Sequence, residues 1–215
     1  MTYPKLARIH DTPAQLYLER RGVWGELAAE TNALRYGREW FAGAVRHVLY
    51  ARQRDTRTNE PVSMQRTFID EAGRRLWLPD MKTGKLKKLP KLSLSGIPTG
   101  GTAIMLDPFE HVTHGLTIAE GVEAALAVAD CWHHRPVWAV TGTMFMKNFE
   151  PPLYLDAVTI IADADEPGIA AARACGERLT EQGIEVKIYK SRNEGEDPDE
   201  LAVRLKKEAA NARSA

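Results

Sequence analysis

The sequence predicts an α/β protein. A mostly parallel sheet with helices on both faces should be preceded by a small α+β unit with antiparallel strands. Three observations lead there. The second half of the chain alternates short apolar runs with helical segments, the pattern of a parallel sheet and its crossovers. One of those runs, Val158 to Ile161, leads directly into Asp163, Asp165, Pro167 and Gly168, so a buried strand feeds a helix. Between Val45 and Leu78, by contrast, the apolar residues recur at the strand period, with turn residues between the runs.

Thr12-Pro13 starts a helix, with Thr12 as N-cap and Pro13 in the first turn, and Arg21-Gly22 ends it. Leu27 to Leu34 reads as a second short helix, and neither is assigned chemistry. Val45 to Arg52 and Val62 to Asp70 read as strands around a polar loop. Met64, Arg66 and Phe68 share one face of the second strand, and Gln65, Thr67 and Ile69 share the other. Leu76 to Leu78 is a short third strand. Lys82 to Lys91 reads as a basic loop with no acidic residue inside it, and a Gly- and Ser-rich stretch follows. Residues 1–100 thus form the small basic unit and 101–215 the core, with the boundary near Gly96 to Gly101. In the core, Ala103–Leu106, Leu116–Ala119, Val137–Val140, Val158–Ala162 and Ile184–Tyr189 read as strands. Val122–Ala129 and Ile169–Leu179 read as helices. An acidic turn, Glu194 to Glu200, leads into a last helix from Leu201, with Lys206, Lys207 and Arg213 near its end.

The chain has 215 residues, 44% hydrophobic and 27% charged, which suits a folded protein of one or two domains. Its two cysteines, Cys131 and Cys175, give neither a zinc spacing nor a disulfide framework. With no signal peptide and no long apolar run, a cytoplasmic protein without membrane contact is expected. The formal net charge of zero hides a division. Residues 1–106 carry 18 Lys and Arg against 10 Asp and Glu, whereas residues 107–215 carry 11 against 19. A basic half beside an acidic half suits a metal-dependent enzyme acting on a polyanion, or two halves that simply attract each other.

The chemistry concentrates at strand ends. Glu120 closes one apolar run, and Asp163 and Asp165 close another; parallel strands bring such ends to one edge. If the backbone stays extended through Asp165, its carboxylate and that of Asp163 point to the same side. Carboxylates brought together repel unless a cation lies between them, and their hard oxygens suit Mg²⁺ or Mn²⁺. The competing reading is an acidic turn that caps the following helix. Gly121 lets a phosphate approach the backbone, and the helix start at Val122 favours an anion. Glu123, one turn in, either supports the ligands or is a plain surface residue. Asp197 or Asp199 offers a further carboxylate. The basic residues Lys85, Lys87, Lys88 and Lys91 contact phosphates or keep a surface solvated. Arg66 contacts nucleic acid or triphosphate, or pairs with an acidic neighbour. Trp77, Trp132 and Trp138 read as packing residues, with Trp132 the one placed to be exposed.

LTIAEGVEAALAVA (Leu116–Ala129), followed by VTIIADADEPGIAAARACGERL (Val158–Leu179), resembles a Toprim domain, the metal-binding core of bacterial primases, topoisomerases and some nucleases. The nearer resemblance is to primase-like Toprim proteins of phages, plasmids and mobile elements. It draws on PAQLYLERRGV (Pro13–Val23), HVLYARQRD (His47–Asp55), VSMQRTFID (Val62–Asp70) and PKLSLSG (Pro90–Gly96). GEDPDE (Gly195–Glu200) is similar to a primase motif that follows the last strand. The resemblance implies a Toprim-like fold and metal ligands or catalytic carboxylates at Glu120, Asp163 and Asp165. It also implies a further metal carboxylate at Asp197 and supporting roles for Gly121 and Glu123. The implied activity is that of a DNA primase-like nucleotidyltransferase. It would make short primers from nucleoside triphosphates on single-stranded DNA, by two-metal phosphoryl transfer with Mg²⁺ or Mn²⁺. Two lone cysteines cannot form the zinc module that primases usually carry, so a zinc-binding partner or a helicase supplied separately is expected. Two other readings stay open on the same core: a metal-dependent nuclease, and a catalytically silent nucleic-acid-binding protein.

Overall fold

A computed structural model describes residues 6–94, 100–190, 200 and 203–204. Asp197 and Asp199, the last-helix residues Leu201, Lys206, Lys207 and Arg213, and Gly96 at the expected boundary lie outside the described residues.

Thr12 caps α1 (Pro13–Arg20), its side chain accepting from the Ala14 N–H, and Pro13 occupies the first turn. A short α2 (Glu26–Glu30) follows. Next come the antiparallel strands β1 (Leu34–Phe41), β2 (Ala44–Asp55) and β3 (Pro61–Ile69). β4 (Trp77–Pro79) and β5 (Leu86–Lys88) pair only with each other, as a separate hairpin. β6 (Leu92–Ser93) returns to β3. The second half runs β7 (Thr102–Met105), β8 (Gly115–Glu120), α3 (Val122–Trp132), β9 (Val137–Val140), α4 (Thr143–Lys147), β10 (Ala157–Ala162), α5 (Glu166–Glu181) and β11 (Glu185–Lys190).

The second half is the α/β core that the alternating pattern predicts. β9, β8, β10 and β11 lie side by side and parallel. β7 pairs antiparallel with β9 on one side and with the end of β2 on the other. Among the described residues, one nine-stranded sheet therefore passes from the core into the antiparallel unit. Strand side chains alternate between faces, so the sheet is packed on both of them. On one face Ile104, Ala119, Ala139 and Ile161 join Leu49 and Ile69 under α1, α2 and α3. On the other, Ile118, Trp138 and Ile160 meet Ala172, Cys175 and Leu179 of α5. Leu126, Ile118 and Ile160 are at most 1% exposed, and each such side chain contributes roughly 1.5–3 kcal/mol by burial. The alanines of α3 let it lie close on the sheet. Among the described residues no helix is long and apolar enough to cross a membrane.

Two expectations are corrected. The segment ending at Leu34 does not stay helical: α2 stops at Glu30, and Leu34 opens β1. β1 is held by continuous pairing with β2 from Leu34↔Ala51 to Phe41↔Ala44, a non-local cause that its own half-exposed sequence does not announce. The turn joining them places Ala42 at φ 49, where no Asn or Asp signals a hairpin. The supposed loop Lys82–Lys91 contains β5, because Trp77, Leu78 and Pro79 pair with Lys88, Lys87 and Leu86.

Gly73 joins the antiparallel unit to α1. Its φ is +70, and a Cβ there would lie 2.5 Å from the Tyr17 nitrogen and 2.7 Å from the Leu16 carbonyl carbon. The helix thus rests on bare turn backbone. Gly73→Ala would add left-handed strain to an overlap with main chain and should cost about 2 kcal/mol or more. Urea unfolding checks this, and an unchanged midpoint would contradict the packing.

Candidate active site

β8 and β10 pair in parallel, with Ala119 beside Ile161. Glu120, the last residue of β8, and Asp163, one residue beyond β10, therefore stand at the same sheet edge. β9 ends there too: Glu120 is in register with Val140, and Thr141 and Gly142 follow. Gly121 turns the chain at once from β8 into α3. It holds φ +92 while its N–H donates to the Val140 carbonyl at 2.8 Å.

The first half of the chain supplies the facing wall. Two adjoining cavities, of about 170 and 370 Å³, share Arg75, Lys88, Lys91, Glu120 and Asp163. Tyr17, Arg21 and Glu123 complete the smaller, and Gln65, Thr141 and Gly142 the larger.

Between the two walls runs a buried tie. Glu123 is 6% exposed, so it is not a surface residue. It accepts a hydrogen bond from the Tyr17 hydroxyl and an ion-paired one from the Lys91 ammonium. Burial pushes the Glu123 carboxyl up. The charge of Lys91 and the hydrogen bonds from Lys91 and Tyr17 outweigh burial and hold it down at about 2. Burial, and then the adjacent Glu123 charge, push the Tyr17 hydroxyl well above its ordinary value, so it remains a donor. Lys91 Nζ lies 3.7 Å from where a Gly121 side chain would begin. The tie thus holds an ammonium against the bare backbone beside Glu120.

Residues 115–207 match the family model of the Toprim domain. No curated protein matches the chain. Among solved structures, the chain is similar to a DNA primase domain from Pseudomonas aeruginosa, at 19% identity and a TM-score of 0.53, covering 92% of this chain and 69% of that one. It is similar to the zinc-binding and RNA polymerase domains of the Aquifex aeolicus primase, at 16% identity and a TM-score of 0.60, over 96% of this chain and 56% of that one. It also resembles the primase fragment of the bacteriophage T7 primase-helicase protein, at 14% identity and a TM-score of 0.56, over 100% of this chain and 82% of that one. At these identities the likeness is one of fold. The chain has a Toprim-like core over the matched residues and shares its architecture with primase domains.

Against that fold, the expected site residues separate. The carboxyl edge of the parallel strands brings Glu120 and Asp163 into one cavity, with Lys88 and Lys91 opposite. Asp165 faces elsewhere. β10 stops at Ala162, and the Asp165 Oδ1 accepts from the Gly168 N–H at 2.7 Å, capping α5, which starts at Glu166 rather than Ile169. Consistent with this split, no group of three or more His, Cys, Asp or Glu among the described residues is placed to hold a metal ion. Arg66 Nη1 donates to Glu39 Oε1 at 2.6 Å, on the face of β3 opposite Gln65. Lys87 is exposed on β5 and Lys85 just precedes it, and neither lines the two cavities. Of the tryptophans, Trp138 is fully buried and Trp132 packs partly buried against the core, but Trp77 is 54% exposed.

Sequence reasoning missed Tyr17, Arg21, Gln65 and Arg75. Tyr17 looked like one more apolar residue on a helix face, and only the fold shows its hydroxyl beside Glu123. Arg75 follows a turn after β3, and nothing local ties it to a carboxylate edge reached many residues later.

The tie has a pH signature. A carboxyl lowered from its ordinary value near 4.5 to about 2 stabilises the fold fully above about pH 4.5. That stability is lost as the pH falls toward 2, and it is on the order of 3 kcal/mol. Urea unfolding across this window should show a steep loss for the native chain and a flatter profile for Glu123→Gln. Parallel profiles would mean that Glu123 is not held charged by its partners.

Proposed function

We propose that the chain is a primase-type nucleotidyltransferase, building short oligonucleotides from nucleoside triphosphates on a single-stranded DNA template. The observation that carries the reading is the cavity of mixed sign, with Glu120 and Asp163 on one wall and Arg75, Lys88 and Lys91 on the other. The two carboxylates fit Mg²⁺ or Mn²⁺. Such an ion commonly takes only one or two carboxylates and fills its shell with water and phosphate oxygens. Glu120 and Asp163 would hold it, with Asp197 a further candidate. A divalent ion there supplies charge neutralisation at the phosphoryl oxygens and acidifies an attacking 3′ hydroxyl.

The chain's own groups do the rest. Lys88, Lys91 and Arg75 bind triphosphate oxygens, Arg75 with a planar fork of donors and the lysines as point charges. The first turn of α3, from Val122 onward, favours the same anion through its dipole. Asp165 acts through the turn it caps, which holds Asp163 at the strand end. Lys85 and Lys87 contact the template backbone. A nuclease needs one phosphodiester and a water, whereas this wall of cations suits a triphosphate. The relatives include a fragment of a primase-helicase and a chain with a zinc-binding domain. A helicase or a zinc-binding protein is therefore the partner class proposed, in the cytoplasm where triphosphates are available.

The test incubates the protein with single-stranded templates, labelled triphosphates and Mg²⁺ or Mn²⁺, and resolves products on a gel. New oligomers are expected from the native chain, reduced about a hundredfold or more in Asp163→Ala and Glu120→Ala. Template cleavage without synthesis would convert the assignment to a nuclease. No product on several templates with either metal would overturn catalysis by the isolated chain.

A further inference from the structure

We propose that the outward face of the β4–β5 hairpin is a stacking platform for single-stranded nucleic acid, with Trp77 as the residue that takes a base. The inference rests on the reading above that the chain acts on a single strand, and it names where that strand lies.

The hairpin stands outside the main sheet. Its register places Trp77 opposite Lys88 and Pro79 opposite Leu86. Directly opposed residues of an antiparallel pair share a face, as do residues two apart, so these side chains line one face together. All of them are exposed, with Trp77 at 54% and Leu86 at 68%. A tryptophan placed for packing looks like Trp138, which has no exposed surface. The same hairpin carries Lys82, Lys85, Lys87 and Lys88. Its one carboxylate, Asp80, is taken up by the turn, accepting from the N–H groups of Lys82 and Thr83 and from the Thr83 hydroxyl.

An occupant must match both properties. It must be polyanionic, and it must offer flat apolar faces. A duplex presents phosphates but keeps its base faces stacked inside, and an acidic peptide offers charge with no array of planar rings. A single strand offers both at every nucleotide. Position completes the argument. Lys88, the cross-strand neighbour of Trp77, also lines the cavity that holds Glu120 and Asp163. A strand stacked on Trp77 therefore reaches the proposed catalytic edge past Lys88.

Fluorescence anisotropy with a labelled single-stranded oligonucleotide over a salt series tests this. It is joined by an oligonucleotide of equal length and charge with abasic sites, and by a duplex. The native chain should prefer the normal strand to both. Trp77→Ala should weaken binding of the normal strand about tenfold, with the salt slope unchanged, because stacking releases no counterions. Trp77→Phe should recover most of the loss. Trp40→Ala, at a position 70% exposed on β1, should bind like the native chain. Thermal melts confirm that the variants are folded. The comparison of normal and abasic strands needs no variant, so it decides even if Trp77→Ala unfolds. Equal affinity for both strands, or native-like binding by Trp77→Ala, overturns the platform while leaving primer synthesis to its own assay. A native chain that binds no single strand overturns the platform and the template reading together.

Discussion

The structure depends most on one buried charge. Burial alone would favour the neutral, protonated form of Glu123, and Lys91 and Tyr17 keep it ionised. Those three side chains come from α1, from α3 and from the segment just before β6. The net contribution of such a pair to stability is small, because desolvation of both charges opposes their attraction. Removing one partner is another matter: it strands a buried charge, at a cost of about 3–5 kcal/mol. The tie is therefore better understood as a positional constraint than as a source of stability. It fixes where an ammonium stands relative to Glu120, and it does so by making every other arrangement of these groups expensive. Gly73 serves the same end, since α1 can deliver Tyr17 only while the turn after β3 remains bare backbone.

The charge division along the chain acquires a meaning in this geometry. The zero net charge is not an even mixture. Arg21, Arg75, Lys88 and Lys91 belong to the basic first half, and Glu120, Glu123 and Asp163 to the acidic second half, yet all line one pair of cavities. Attraction between the halves and recognition of a metal-bound polyanion are usually separable ideas. Here the ion pair of Lys91 with Glu123 ties the halves at the cavities, while Arg75 and Lys88 line the same cavities as Glu120 and Asp163. The metal-bound triphosphate proposed as the substrate would match the sign of both walls.

What could be read from the sequence follows from how local its causes are. The parallel core was legible because Leu116–Ala119, Val137–Val140 and Val158–Ala162 are buried on both faces and therefore continuously apolar. The ends of those strands placed Glu120 and Asp163 correctly at one edge. β1 was not legible, since its half-exposed residues owe their conformation to β2. β5 was hidden for a related reason: lysines are weak strand formers, and Lys87 and Lys88 are extended only because Leu78 and Trp77 lie across from them. Tyr17 and Arg75 were invisible as site residues because their partners are distant in sequence. Arg66 had two readings from sequence, and its partner Glu39 lies on β1, the strand that was missed.

The two aspartates after β10 show why spacing alone does not define a site. The reading of a shared side for Asp163 and Asp165 assumed extended backbone through both. The strand ends one residue too soon for that, and α5 begins at Glu166. A helix that starts with Glu166 and Pro167 needs an acceptor for its first N–H groups, and Asp165 is where an N-cap must be. Such a cap contributes about 1 kcal/mol, enough to hold the carboxylate toward Gly168 when nothing stronger competes. Asp163 lines the cavity with Glu120. One acidic pair thus divides its work: the second residue fixes the turn, and the turn fixes the first residue at the strand end. The capping reading of Asp165 is compatible with the proposed ion at Glu120 and Asp163, because the cap follows directly on the strand end where Asp163 stands.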